Sequence, residues 1–184
     1  CGGRRFEALG AGMGRLVAEV GGFLGREAVG EAGSGRPVVV GTERDLAALG
    51  PVDLGVAVDA DGLLRAPHYR AVEDGLRLIA RVAGAAGTGR GRRALVQTAD
   101  PGHPALSALR RGDPLPLLAA EMKGRAAVGF PPAGEIIVIE VAGAPEGADG
   151  ALRETVAGRA EVHGPAERQG RVRWWPQGSR RSRY

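Results

Sequence analysis

The chain has 184 residues, of which 43% are hydrophobic and 25% charged, and its formal net charge at pH 7 is +4. This length suits one domain of ordinary size, or one and a half small ones. No apolar run reaches the roughly 18 residues that a membrane helix needs, and no cationic segment followed by an apolar one marks a secretory signal, so we expect a cytoplasmic protein.

The first half of the chain alternates between helical and strand patterns. Apolar residues recur at helical spacing in two segments, whereas three short apolar runs are typical of buried strands. The prediction in chain order is a helix at 16–24, a strand at 37–40, a strand at 54–58, a helix at 72–83 and a strand at 94–98. Strands that alternate with helices imply a parallel sheet with crossover helices, so the predicted fold class is α/β.

A boundary is predicted near Pro116, between two helical segments. Helical patterns at 107–111 and 117–128 lie on either side of this boundary, and the sequence Gly-Phe-Pro-Pro at 129–132 breaks the chain sharply. The apolar run at 135–141 is the strongest strand signal of the chain, and a weak helix is predicted at 152–157. These elements predict a second, smaller α/β unit.

The basic residues are concentrated near the C-terminus. Subtracting the six arginines of 168–184 from the net charge of +4 leaves −2 for residues 1–167. Arginines interleaved with aromatic residues can hold phosphates while the rings stack on bases. The alternative is a solvated chain end. The candidate DNA-binding residues of this basic tail are Arg168, Arg171, Arg173, Trp174, Trp175, Arg180 and Arg181.

Four short motifs follow one another at 59–61, 67–70, 81–88 and 97–104. They read Asp-Ala-Asp, Pro-His-Tyr-Arg, Arg-Val-Ala-Gly-Ala-Ala-Gly-Thr and Gln-Thr-Ala-Asp-Pro-Gly-His-Pro. In this order and at these spacings the chain resembles the second motor lobe of the primosomal protein N′ (PriA) family of replication-restart helicases. The resemblance is strongest over 53–104 and weaker over 117–141.

The resemblance implies a partial RecA-like helicase lobe with a parallel sheet, followed by a small, incomplete α/β domain of ferredoxin-like fold. The implied division is a remnant of a zinc-knuckle segment at 1–9, the shortened lobe at 10–115, the start of the C-terminal domain at 116–167 and the basic tail at 168–184. The Lys-Gly-His that the family carries after Gly41-Thr42 is missing here. We therefore expect a lobe that has lost parts of the motor.

The resemblance places Asp59, Asp61, Gly84 and Gly87 at the nucleotide cleft. The two aspartates follow a predicted strand directly, and α/β sheets bind their ligands at the carboxyl ends of strands. As a pair of carboxylates they could also perform acid and base chemistry. The resemblance favours the other interpretation, in which they form a turn that positions the motor cleft.

Other positions depart from the family pattern. The family has arginines where this chain has Ala85 and Thr88, and glutamine where it has Arg81. Such arginines stabilise the charge of the transferred phosphoryl group and contribute on the order of 10³–10⁵ in rate. No GxxxxGK[ST] phosphate loop occurs either. We therefore expect no catalytic residue in this chain, and we expect Thr42 to touch the DNA backbone, as the resemblance implies.

Metal binding is not expected. Cys1 resembles the last cysteine of the family's zinc knuckle, but a structural zinc site needs four ligands and this is the only cysteine, which also excludes an internal disulfide. The three histidines, His68, His103 and His163, are scattered beside proline or glycine, and we expect them to cap turns. Zinc and ATP with magnesium are thus implied only for the complete family protein, and no cofactor for this chain alone.

Three functions remain open. The first is a DNA-binding replication-restart protein that lacks helicase activity. The second is the C-terminal part of an active ATP-dependent 3′→5′ DNA helicase, and the third is a structural α/β module without a nucleic-acid role. The resemblance implies forked or single-stranded DNA, primosome proteins and single-stranded-DNA-binding protein as partners, and no membrane.

Overall fold

The computed structural model describes residues 12–87, 89–168 and 170–179. The chain divides into two compact units between Gly112 and Asp113, close to the predicted boundary. Both units contain helices and strands, so the fold is mixed α/β, with small parallel sheets in the first unit and an antiparallel sheet in the second. None of the helices in the described ranges is long and apolar enough to span a membrane.

The first unit alternates helices and strands, as the sequence predicts. Its elements are α1 (Met13–Leu24), β1 (Val29–Glu31), β2 (Val38–Val40), α2 (Glu43–Leu46), β3 (Leu54–Ala57), α3 (Ala60–Leu64), α4 (Ala71–Ala86), β4 (Arg93–Val96) and α5 (Pro104–Arg111). The strands form two separate parallel pairs, β1 with β2 and β3 with β4, instead of one sheet. Strand β1 was not predicted, because Val29-Gly-Glu has a single apolar residue and so forms no apolar run.

Helix α4 is the centre of the first unit. Its buried positions include Leu76 and Ile79, and the facing helix α3 contributes the buried Leu64. Gly55 of β3 allows a close approach to α4, since a Cβ atom there would lie 2.6 Å from the carbonyl oxygen of Val82. This packing covers one face of the β3–β4 pair, while Leu54, Val56 and Leu95 on the other face stay exposed.

The second unit contains α6 (Leu115–Ala127), β5 (Gly134–Ile136), β6 (Ile139–Ala142), α7 (Ala148–Val156), β7 (Glu161–Arg168) and β8 (Arg171–Ser179). Strand β8 is central: β5 and β6 pair with it in succession along one edge, and β7 pairs along the other, all antiparallel. The predicted strand at 135–141 is thus two strands, interrupted at the exposed Ile137 and Val138.

The interpretation of 168–184 as a tail is corrected over residues 171–179. These residues form the central strand of the sheet, hydrogen-bonded on both edges. The physical reason is alternation: Val172, Trp174 and Pro176 turn towards α7, while the arginines turn away from it, and the high content of arginine hides this period. The sequence from Arg180 onwards lies outside the described residues.

Candidate functional site

The carboxyl ends of β3 and β4 are joined by a strand-end junction, which comprises residues 59–61 and 97–100. The two strands pair in parallel register from Leu54 opposite Arg93 to Ala57 opposite Val96, so both chains leave the sheet at the same edge. Backbone bonds continue beyond the strands, because the amide of Gln97 donates to Ala57 at 2.9 Å and the amide of Ala60 donates to Gln97 at 3.0 Å. Two motifs that are distant in sequence therefore form one structure.

Both aspartates of the junction are engaged with backbone groups. The carboxylate of Asp61 accepts a hydrogen bond from the amide of Ala99 at 2.7 Å and another from the hydroxyl of Thr98 at 3.1 Å. Asp59 adopts a left-handed conformation at φ 52° and accepts from the amide of Gly62 at 3.1 Å, which caps α3. This geometry favours a positioning turn over an acid and base pair.

The ionisation of Asp61 is part of this turn. The amide of Ala99 and, to a smaller extent, the hydroxyl of Thr98 lower the pKa of the Asp61 carboxyl below its ordinary range. A carboxyl group with a lowered pKa stays ionised at neutral pH and is a poor proton donor. Asp61 therefore acts here as a hydrogen-bond acceptor that holds the start of α3 against the end of β4.

We expect the Asp61→Asn variant to be less stable than the parent at neutral pH, and the difference to vanish in acid. The pKa of Asp61 is lowered on folding, so its contribution is present above the ordinary value of about 3.9 and is lost as the pH falls through the lowered pKa. Urea unfolding of both proteins between about pH 2.5 and 7 measures this difference. Asp53→Asn is the control, because the Asp53 side chain is 98% exposed. A stability gap that does not depend on pH would contradict the role of the ionised carboxylate.

The four residues that the resemblance assigns to a nucleotide cleft are not brought together. Asp59 and Asp61 lie at the carboxyl ends of the strands. Gly84 is in the last turn of α4 and Gly87 follows the helix directly, near the start of β3, since the amide of Val52 donates to the carbonyl oxygen of Ala85 at 3.1 Å. Helix α4 has 16 residues, which correspond to about 24 Å of length. The two pairs thus lie at opposite ends of the β3–β4 sheet.

In the described part of the chain, the positions that depart from the family's arginine motif carry no unpaired positive side chain. Arg81 donates to the carboxylate of Glu43 at 2.7 Å, which connects α4 to α2. Ala85 lies in the same helix and has no charge, and Thr88 lies outside the described residues. The partner of Arg81 could not be predicted, because Glu43 is 38 residues away in the sequence.

Thr42, the predicted contact to DNA, is the N-cap of α2. Its amide donates to Asp45 Oδ2 at 2.7 Å and its hydroxyl donates to the same oxygen at 2.8 Å. These bonds lower the pKa of Asp45, chiefly through the backbone amide of Thr42. A phosphate at this position would therefore meet an ionised carboxylate.

His103 caps α5 in a similar manner, because its Nδ1 accepts from the amide of Ala105 at 3.2 Å, and the turn-capping role predicted for it is confirmed.

Two of the candidate arginines are on β8 and share one acid. Arg171 donates to Oε1 of Glu140 at 2.7 Å, and Arg173 donates to Oε2 of the same side chain. Both bonds lower the pKa of Glu140, with Arg171 the larger cause. The group of three residues therefore keeps a charge of +1 instead of +2. Glu140 was not predicted as a site residue, because only the pairing of β6 with β8 places it there.

The adjacent tryptophans have opposite environments. Trp174 is 3% exposed and its Nε1 donates to the carboxylate of Asp149 at 3.0 Å, so it is a core residue and cannot stack on a base. Trp175 is only partly buried and lies on the other face of the sheet.

Of the remaining candidates, Cys1, Arg180, Arg181 and the side chain of Arg168 lie outside the described residues. The described ranges contain no group of three or more potential metal ligands.

Comparison with known proteins shows that part of the chain is similar to a curated sequence. The replication restart protein PriA of Synechocystis sp. is 31% identical over 99 residues, which correspond to 53% of this chain and 12% of the relative. The chain thus matches about an eighth of the length of that protein. No family model matches the chain. Part of this chain is therefore similar to a PriA protein.

Proposed function

We propose that this chain is a PriA-like replication-restart module that binds DNA and does not hydrolyse ATP. The observation that carries the proposal is the strand-end junction, because Asp61 is bonded to Thr98 and Ala99 across the two motifs that resemble the family most closely. The similarity of 99 residues to a replication restart protein supports the same assignment. The proposed fold is accordingly a partial RecA-like lobe followed by an incomplete ferredoxin-like domain, and the proposed location is the cytoplasm.

The absence of ATP turnover is proposed from the charges around α4. A motor lobe directs arginines at the γ-phosphate, where negative charge develops in the transition state. Here Arg81 is paired with Glu43, and Ala85 cannot replace an arginine. The aspartates of the strand-end junction are at the other end of α4 from Gly84 and Gly87, which leaves no common cleft among these four positions. ATP, magnesium and zinc are therefore assigned only to a complete family protein.

The proposed partners are forked or single-stranded DNA, with primosome proteins and single-stranded-DNA-binding protein as protein partners. A second candidate is the C-terminal part of an active helicase, which the limited match, 12% of the relative, favours. The two candidates differ in whether ATP is turned over when the lobe that carries a phosphate loop is present.

We expect the chain to bind forked and single-stranded DNA and to release no phosphate from ATP in their presence. Fluorescence anisotropy with labelled oligonucleotides measures binding, and a phosphate-release assay measures turnover against a heat-inactivated control. Restoring the family arginines in the double variant Ala85→Arg and Thr88→Arg should still give no turnover, because no phosphate loop is present in this chain. Failure to bind any DNA would refute the proposed function, and turnover above the control would refute its non-catalytic part.

A further inference from the structure

The antiparallel sheet of the second unit has one face that α7 covers and one that it leaves open. Helix α7 is fixed to the covered face by Asp149, which accepts from Trp174, and by Arg153, which donates to the backbone oxygen of Val162 at 2.7 Å. Along β8, Val172, Trp174 and Pro176 lie on this covered face. The alternate residues Arg171, Arg173, Trp175 and Gln177 therefore lie on the opposite face, which we call the open face.

Trp175 is at the centre of the open face, with polar residues around it. His163 of β7 is opposite Trp175 in the strand register, and its Nε2 lies 3.2 Å from Oε1 of Gln177. Arg173 is two residues away on the same strand and is held against Glu140 of β6. One aromatic ring is thus surrounded by a guanidinium group, an imidazole and an amide.

Several polar side chains of this face are exposed. The side chain of His163 is 47% exposed, that of Arg171 57% and that of Arg173 42%. No residue of α6 is buried. The connection between α6 and β5 meets this face at Gln177, which donates to the carbonyl oxygen of Val128 at 2.7 Å. Trp175, at the centre of the face, is only partly buried.

The open face offers two guanidinium groups to an anion, and it also carries two carboxylates. Arg171 and Arg173 share the carboxylate of Glu140. Glu161 lies on the same face, with Oε1 4.0 Å from Nδ1 of His163, so these four charged residues sum to zero. Each guanidinium has five N–H donors, and two bonds to a carboxylate leave others available to a phosphate oxygen. An aromatic ring that is flanked by arginines provides a stacking surface and a phosphate contact within one strand.

We propose that the open face binds single-stranded DNA, with one base stacked on Trp175 and the backbone phosphates held by Arg171 and Arg173. His163 and Gln177, which are bonded to each other, lie beside that base. The face is selective for single strands, because the bases of a duplex are stacked on one another and are not available to stack on Trp175. This inference rests on the proposed DNA-binding function and assigns the binding to one surface.

The test compares two tryptophan variants by anisotropy with a labelled oligothymidylate of about 15 nucleotides and with a duplex of the same length. We expect Trp175→Ala to weaken binding of the single strand about 5- to 150-fold, which corresponds to the loss of one stacked base, and to leave duplex binding unchanged. Trp175→Phe retains a ring and should restore most of the affinity. In the parent chain, binding should also quench tryptophan fluorescence.

A second pair of variants tests the phosphate contacts without changing the aromatic ring. Arg173→Ala should reduce the slope of log K against log salt by about 0.7, the value for one phosphate on a single strand. Lys123→Ala removes the same charge from an exposed position of α6, outside the strands that form the open face, and should leave the slope unchanged. This pair keeps the proposal testable if Trp175→Ala fails to fold, which far-UV circular dichroism detects.

The outcomes separate this inference from the proposed function. A parent chain that binds no DNA refutes both. A parent chain that binds single strands, with equal affinity and equal quenching in Trp175→Ala and an unchanged salt slope in Arg173→Ala, refutes only the open face as the binding surface. Tighter binding of an oligouridylate than of the DNA strand would overturn the assignment to DNA.

Discussion

Replacing Trp174 by alanine is expected to destabilise the second unit by about 3–5 kcal/mol. Trp174 is 3% exposed, it lies on the central strand, and its Nε1 is bonded to Asp149 of α7. The substitution removes the largest side chain between the sheet and the helix and leaves a cavity that the neighbours cannot fill completely. A loss of this size is comparable to the whole stability of a small unit, so we expect partial or complete unfolding at 37 °C.

Urea unfolding followed by far-UV circular dichroism measures this loss. The matched control is Trp175→Ala, which removes an identical side chain from the adjacent, partly exposed position. It should lower the free energy of unfolding much less. Trp174→Phe should lie between the two, because it keeps an aromatic ring in the core but removes the donor to Asp149. Equal losses for Trp174→Ala and Trp175→Ala would mean that the two faces of the sheet are packed alike.

The second large effect is expected for Ile79→Ala in the first unit, with a loss of about 2–5 kcal/mol. Ile79 is 2% exposed, and it is the largest fully buried side chain among the described residues. Helix α4 packs against α3, α5 and the β3–β4 pair, so a cavity in α4 weakens the part of the unit that supports the strand-end junction. The higher helix propensity of alanine offsets only a few tenths of a kcal/mol.

Leu78→Ala is the control for Ile79→Ala, because Leu78 is the adjacent residue of the same helix and is only partly buried. Both variants are compared by urea unfolding. Both tryptophans are in β8, so tryptophan fluorescence reports on the second unit, whereas circular dichroism also records the helices of the first. If Ile79→Ala lowers the free energy of unfolding no more than Leu78→Ala does, α4 is not the centre of the first unit.

The different environments of Trp174 and Trp175 also change the contribution that we propose for the basic segment in DNA binding. A flexible tail would offer every arginine and both rings to the DNA. A strand offers only alternate residues, and two of its arginines are shared with Glu140. The expected contribution of residues 171–179 is therefore one stacked base and a small number of phosphate contacts.

Local patterns were sufficient to predict several elements of the first unit. The apolar runs at 37–40, 54–58 and 94–98 and the helical period at 72–83 correspond to β2, β3, β4 and α4 within a few residues. These elements form from short-range sequence preferences, which can be recognised in a window of about ten residues. The motifs at 59–61 and 97–104 were each recognised in the sequence, but only the hydrogen bonds of Asp61 show that they lie together.

Contacts between distant residues were decided only by the tertiary structure. Arg81 pairs with Glu43 and Arg173 with Glu140, 38 and 33 residues away, and no local pattern marks either pair. The same holds for β8, where the cost of ordering an arginine-rich segment is offset by pairing with three other strands and by packing Trp174 against α7. Whether this segment is a tail or a central strand depends on those partners, because a strand without neighbours has no stability of its own.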